Sequence, residues 1–309
     1  MQHPFYLLLN YTDMSGERDF VLSEFFKLDD GQSGHNAILL GLWGGRASLL
    51  KYLTYLACKG KDIYGDDREK QACIWRAREH DLYLEFFKMG IGILAVPWGG
   101  DFTLVKVLDK DTKEEITVDD LEKEGIDYFI YRTSQDIVDH LTVGKVVCIL
   151  FPGISGYKQE AEFYAELGDA LNTRKTSYWA HLAIDKASEL YSSYSMDVKV
   201  HRKFKDAASY FSSNLINCIL GDEDFGQLDS KLGDIFPWTI YMRGTIKRRD
   251  IGGQSTKLKQ DYITRQKENS AYITDGLLYD RLPFPEMPEE YKADFRIIIK
   301  KRTFNIEIE

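Results

Sequence analysis

Ile38-Leu-Leu-Gly-Leu-Trp-Gly-Gly-Arg-Ala-Ser-Leu-Leu-Lys-Tyr-Leu53 decides how the first half of the chain is read, because a second stretch repeats its pattern. Residues 93–108 run Ile-Leu-Ala-Val-Pro-Trp-Gly-Gly-Asp-Phe-Thr-Leu-Val-Lys-Val-Leu, so the shared string is I-L-x-x-x-W-G-G-x-x-[ST]-L-[LV]-K-x-L at a constant offset of 55. Upstream, Glu24-Phe-Phe-Lys27 matches Glu85-Phe-Phe-Lys88. Downstream, Asp66-Asp-x-Glu-Lys70 matches Asp119-Asp-x-Glu-Lys123, and Ile74-Trp-Arg76 matches Ile130-Tyr-Arg132. Blocks that recur twice in one order point to an internal duplication. The competing explanation is coincidence in a chain with 19 Tyr and 17 Phe.

The second copy carries Pro97 and Gly99-Gly100, which break a helix, and then the β-branched and aromatic run 102–108. Gly-Gly also permits the positive φ of a tight turn, so both copies read as strand, turn, strand. With a strand before and a helix beside each hairpin, the element order becomes β-α-β-β-α-β. The expected fold class is therefore α+β, a tandem of two related ferredoxin-like units. The copies cover about 5–76 and 73–132, with a partial third start at 145–156, all within residues 1–154. Residues 155–309 read as a helix-rich second half closed by an antiparallel sheet. Helices are expected over 158–172, 177–192 and 204–220, and strands over 196–201, 238–243 and 295–308.

The 309 residues hold 49 Asp+Glu against 40 Lys+Arg, a formal charge of −9, which excludes a uniformly basic nucleic-acid coat. Uncharged, mostly apolar runs such as 89–100 and 146–157 are too short for the ~20 residues a membrane helix needs. Met1–Asn10 has no basic leader, so a soluble cytoplasmic protein is expected. Cys58, Cys73, Cys148 and Cys218 form no C-x-x-C pair and read as buried thiols. Six scattered histidines give no metal-ligand spacing, so no metal site is read; the cofactor stays unassigned.

The sharpest charge feature is residues 243–267, with eight basic residues against two acidic ones. Arg243, Lys247, Arg248, Arg249, Lys257 and Lys259 are the candidate phosphate or polyanion ligands, around Gly252-Gly253-Gln-Ser-Thr256. The glycines there match no phosphate loop, since Lys257 follows Ser-Thr, the reverse of G-K-[ST]. Trp43 and Trp98 are candidate aromatic turns, read either as a binding lip or as core-packed hairpin closures. Asp185, Glu189, Asp197 and Lys199 are weak catalytic candidates for a metal-dependent nuclease pattern, with Asp109 and Asp111 for a nucleotidyltransferase-like one. Ser155 falls short of a nucleophile elbow, because Tyr157 stands where the last glycine belongs.

The functional expectation is a binding or assembly protein that engages a nucleotide, nucleic acid or acidic protein through 243–267. The alternatives are an enzyme acting on nucleotides or phosphoesters and a structural subunit of a homo-oligomer.

Overall fold

The computed structural model describes residues 20–27, 35–41, 43–77, 84–151, 157–192, 198–223, 227–242, 270–275 and 279–304. The helices are α1 (Phe20–Phe26), α2 (Trp43–Lys59), α3 (Leu84–Lys88), α4 (Ser134–Asp139), α5 (Tyr157–Asn172) and α6 (Val198–Ala208). The first seven strands are β1 (Asn36–Leu40), β2 (Ala72–Ala77), β3 (Gly92–Pro97), β4 (Gly100–Val107), β5 (Lys113–Ile116), β6 (Tyr128–Tyr131) and β7 (Val146–Leu150). Six more follow: β8 (Ala180–Asp185), β9 (Ile216–Asp222), β10 (Trp238–Met242), β11 (Ser270–Thr274), β12 (Tyr279–Pro283) and β13 (Arg296–Phe304).

Ten of these strands form one sheet in the order β12-β11-β10-β1-β9-β8-β2-β7-β3-β6. From β10 to β6 every neighbouring pair is parallel, while β11 and β12 add antiparallel at one edge. A separate antiparallel sheet holds β13, β4 and β5. The fold is thus α/β, and the tandem of ferredoxin-like units with a helix-rich second half is overturned. Strands from both halves interleave: β1 lies between β9 and β10, and β2 between β7 and β8.

Alternation along the strands sorts side chains into two cores. Ala37 and Leu39 of β1, with Cys73 and Trp75 of β2, face α2 through Leu49, Leu50, Leu53 and Leu56. Ile38 and Leu40, with Ile74, face the other way toward Tyr164 and Leu167 of α5 and Phe204 of α6. Each fully buried aliphatic side chain contributes about 1.5–3 kcal/mol. The three layers require parallel strands buried on both faces, and that is where the sequence misled. Residues 180–185 and 216–222 are buried throughout, so they show no polar alternation and read as continuations of amphipathic helices. Left-handed Leu215 (φ 57°) separates the helical residues before it from β9.

The two repeat copies also differ. After β1 the chain enters helix α2, whereas after β3 it turns at Trp98-Gly99, with φ +72° at Gly99, into β4. Arg46–Lys59 is rich in Leu, Ala and Lys, good helix formers, while 102–107 is β-branched and aromatic. Residues 198–201, expected as part of a strand, open α6 instead. Among the described residues, no helix is long and apolar enough to cross a membrane.

Candidate functional site

In a sheet of parallel strands, every strand delivers its last residue to the same rim, and ligands gather where the connections diverge. Here that point is β1. The chain leaves it through α2 toward β2 on one side, and β10 joins it on the other. Gly41 follows β1 and donates its N–H to the Asp222 carbonyl at the end of β9 (3.0 Å). The 17-residue helix α2 then starts at Trp43 and has no acidic residue in its first turn. Its first N–H groups have no partner within the helix, and its dipole favours an anion there.

Two glycines at this rim, Gly41 after β1 and Gly221 in β9, are required by close approach. A Cβ on Gly41 would sit 2.8 Å from Met242 Cβ, and one on Gly221 would lie 3.0 Å from Asp185 Oδ1. Arg46, one turn into α2, is completely buried. Its Nε donates to Asp185 Oδ1 (2.6 Å) and its Nη1 to the Gly41 carbonyl (3.0 Å). Glu223 Oε1 lies 3.9 Å from Nη1. Arg46 Nη2 is buried with no hydrogen-bond partner, close to the first turn of α2.

A second buried guanidinium lies on β2, the strand next to β8. Arg76 near the end of β2 makes a bidentate pair with Glu160 in the first turn of α5 (2.7 and 2.8 Å). Its Nη1 donates to the carbonyls of Asp185 (2.8 Å) and Lys186 (3.3 Å) and lies 3.2 Å from Glu189 Oε2. Burial alone would lower the Arg76 pKa, but the Glu160 carboxylate reverses this and holds it above its ordinary value. Asp222, also buried, accepts the Ser188 N–H (2.6 Å).

Asp185 is therefore at the centre of this cluster, at the end of β8, and Glu189 sits in the short helical turn that follows. Lys199 is exposed at the start of α6, and Asp197 lies outside the described residues. Asp185 and Glu189 are drawn to Arg46 and Arg76, and among the described residues no group of three or more metal-ligating side chains could hold an ion. Asp109 caps the β4–β5 turn, accepting the N–H groups of Asp111 and Thr112. The nuclease and nucleotidyltransferase patterns have no support in this arrangement.

Trp43 opens α2; Trp98 is 60% exposed, with the Arg132 guanidinium 4.4 Å from its ring centroid. Arg243, Lys247, Arg248, Arg249, Lys257, Lys259 and Ser155 lie outside the described residues. All four cysteines are buried free thiols, and burial pushes those of Cys148 and Cys218 up.

Sequence reasoning passed over Arg46, Arg76, Glu160 and Asp222. The signal for Arg46 was present in the opening stretch: an apolar strand, then Gly41-Leu-Trp-Gly-Gly-Arg46-Ala-Ser48, then helix formers. The order is strand, glycine-bearing turn and helix, and the string G-K-[ST] is absent.

No protein-family model matches the chain, and no curated protein matches it. Among solved structures it is similar to the genome packaging NTPase B204 of Sulfolobus turreted icosahedral virus 2 in complex with AMPPCP. That match has 14% identity, covers 82% of this chain and 99% of that one, and has a TM-score of 0.49. It is also similar to the N-terminal domain of zonular occludens toxin from Neisseria meningitidis, at 9% identity, 89% and 96% coverage and a TM-score of 0.31. These likenesses are faint.

Proposed function

We propose that the chain binds the phosphate groups of a nucleotide at the turn between β1 and α2, with Arg46 as the cation that holds them. The observation that carries this is the buried Arg46 guanidinium, with Nη2 unpartnered, in the first turns of α2 at the strand-end rim. A phosphate oxygen is the acceptor such a group suits, because a guanidinium presents its donors in a planar fork. The glycines let the backbone come close, and the first N–H groups of α2, which no helix carbonyl takes, supply the remaining donors.

The basic segment belongs to the same proposal. Met242, the residue before Arg243, packs where a Cβ on Gly41 or Gly45 would sit, and Met242 pairs with Ala271 of β11. Met242 and Ala271, described residues on either side of 243–269, pair beside the turn between β1 and α2. The cations of 243–269 supply the second layer of charge for a nucleotide or a longer polyanion.

Titration calorimetry with ATP in magnesium-containing buffer tests the reading. The expected result is saturable binding, weakened at least tenfold in Arg46→Lys, which keeps the charge and loses the fork. Reversing Lys247, Arg248 and Arg249 to Glu should weaken binding and flatten its salt dependence. A wild-type chain that binds neither ATP nor pyrophosphate at millimolar concentration overturns it.

A further inference from the structure

We propose that Arg76 is a positioning residue for this site: anchored on Glu160, it clamps the carbonyls of Asp185 and Lys186 and thereby aims the Asp185 carboxylate at Arg46. Lys186 has φ 50°, ψ 54°, the left-handed region that residues with a Cβ rarely adopt. Non-glycine residues hold that conformation only where the surroundings over-determine it. The surroundings here are explicit. Arg76 Nη1 grips the two carbonyls flanking the kink at 2.8 and 3.3 Å. Asp222 takes the Ser188 N–H from the β9 side, at 2.6 Å. Glu189 reaches back to Arg76 Nη1 at 3.2 Å and to Lys186 Nζ at 3.8 Å, closing the loop of contacts.

The consequence is geometric. Asp185 is the last residue of β8 and Lys186 the first beyond it, so the kink sets the direction in which the chain leaves the strand. Arg76 makes no contact with Arg46 in the hydrogen bonds and ion pairs of either residue; its influence on the phosphate turn runs through Asp185. Glu160 ties the same guanidinium to the first turn of α5, so the start of that helix and the Asp185 carboxylate are set by one fork.

The positioning role rests on the phosphate-binding reading, and two measurements separate them. Pyrophosphate affinity is compared by calorimetry in wild type, Arg76→Lys, Lys186→Gly and the double variant. Lysine keeps the charge beside Glu160 but cannot hold Glu160 and both carbonyls together. Glycine accepts the left-handed conformation without needing the clamp. The expected result is at least a tenfold loss in Arg76→Lys, cut to threefold or less when Lys186 is also glycine. Equal losses in both backgrounds, or no loss, overturn the proposal. The urea midpoints of the same four chains form a cycle that needs no ligand. Arg76→Lys should lower the midpoint markedly less in the Lys186→Gly background; additive shifts overturn the clamp. If wild type binds no pyrophosphate, the phosphate reading fails and this cycle alone decides whether Arg76 holds the kink. Should Arg76→Lys fail to fold, Glu160→Gln, which loosens the anchor, takes its place in both cycles with the same expectations.

Discussion

Arg46 Nε stands 2.6 Å from Asp185 Oδ1, with 0% and 1% of the two side chains exposed, joining the start of α2 to the end of β8. Such a pair repays its desolvation only when both members are present. Removing one leaves the other as an uncompensated buried charge.

Arg46→Met should therefore cost about 3–5 kcal/mol of folding stability. The double variant with Asp185→Leu should recover much of that loss while ATP binding stays absent. Urea denaturation of the two chains beside wild type checks the first statement, and calorimetry checks the second.

The glycines of the rim separate by what a methyl group would strike. On Gly41 it meets Met242 Cβ at 2.8 Å, an atom that moves only with its backbone; on Gly45 it meets the Met242 terminal methyl at 2.9 Å, which can swing aside. Gly41→Ala should cost about 1–3 kcal/mol, the usual cost of overpacking, and Gly45→Ala less than half as much. Thermal melts of both variants test the order.

Acid should weaken the fold through His181. It is buried at the start of β8, with Nε2 3.2 Å from Thr54 Oγ1, and burial lowers its pKa to about 4. The unfolded chain takes up this proton near pH 6.5 and the folded chain only near 4, so stability falls as pH drops between those values. The loss approaches about 3 kcal/mol by pH 4. His181→Gln should flatten this part of the profile, as read by urea midpoints at pH 7, 6, 5 and 4.

Thr133 caps α4 by accepting the Asp136 N–H, while Asp136 accepts the backbone N–H groups of Arg132 and Thr133. Those bonds hold the Asp136 carboxyl below its usual range, the Arg132 N–H contributing most. Thr133→Ala should cost about 1 kcal/mol, measured by chemical denaturation.

The sequence made some of these elements legible and hid others for identifiable reasons. Residues 146–150 and 238–242 announced themselves as strands through β-branched and aromatic runs, and 158–172 as a helix through its apolar stripe. Residues 180–185 did not, because Ala-His-Leu-Ala-Ile-Asp buried on both faces carries no period to read. The Trp-Gly-Gly repeat pulled β1 and α2 toward a hairpin, although the helix formers after Arg46 spoke against it. Arg76, Glu160 and Asp185 lie 84 and 109 positions apart along the chain from Arg76, and no local pattern marks residues whose partnership exists only across parallel strands.

The strand order has a consequence for synthesis. β1 is made well before both its neighbours, β9 and β10, which follow only after residue 215. A ribosome-bound chain made as far as residue 200 has α2 and Arg46 but lacks the strands that flank β1. The rim is completed late, so until residues 216–242 are made β1 waits with both edges open, the slow, non-local kind of assembly in which chaperone capture is favoured.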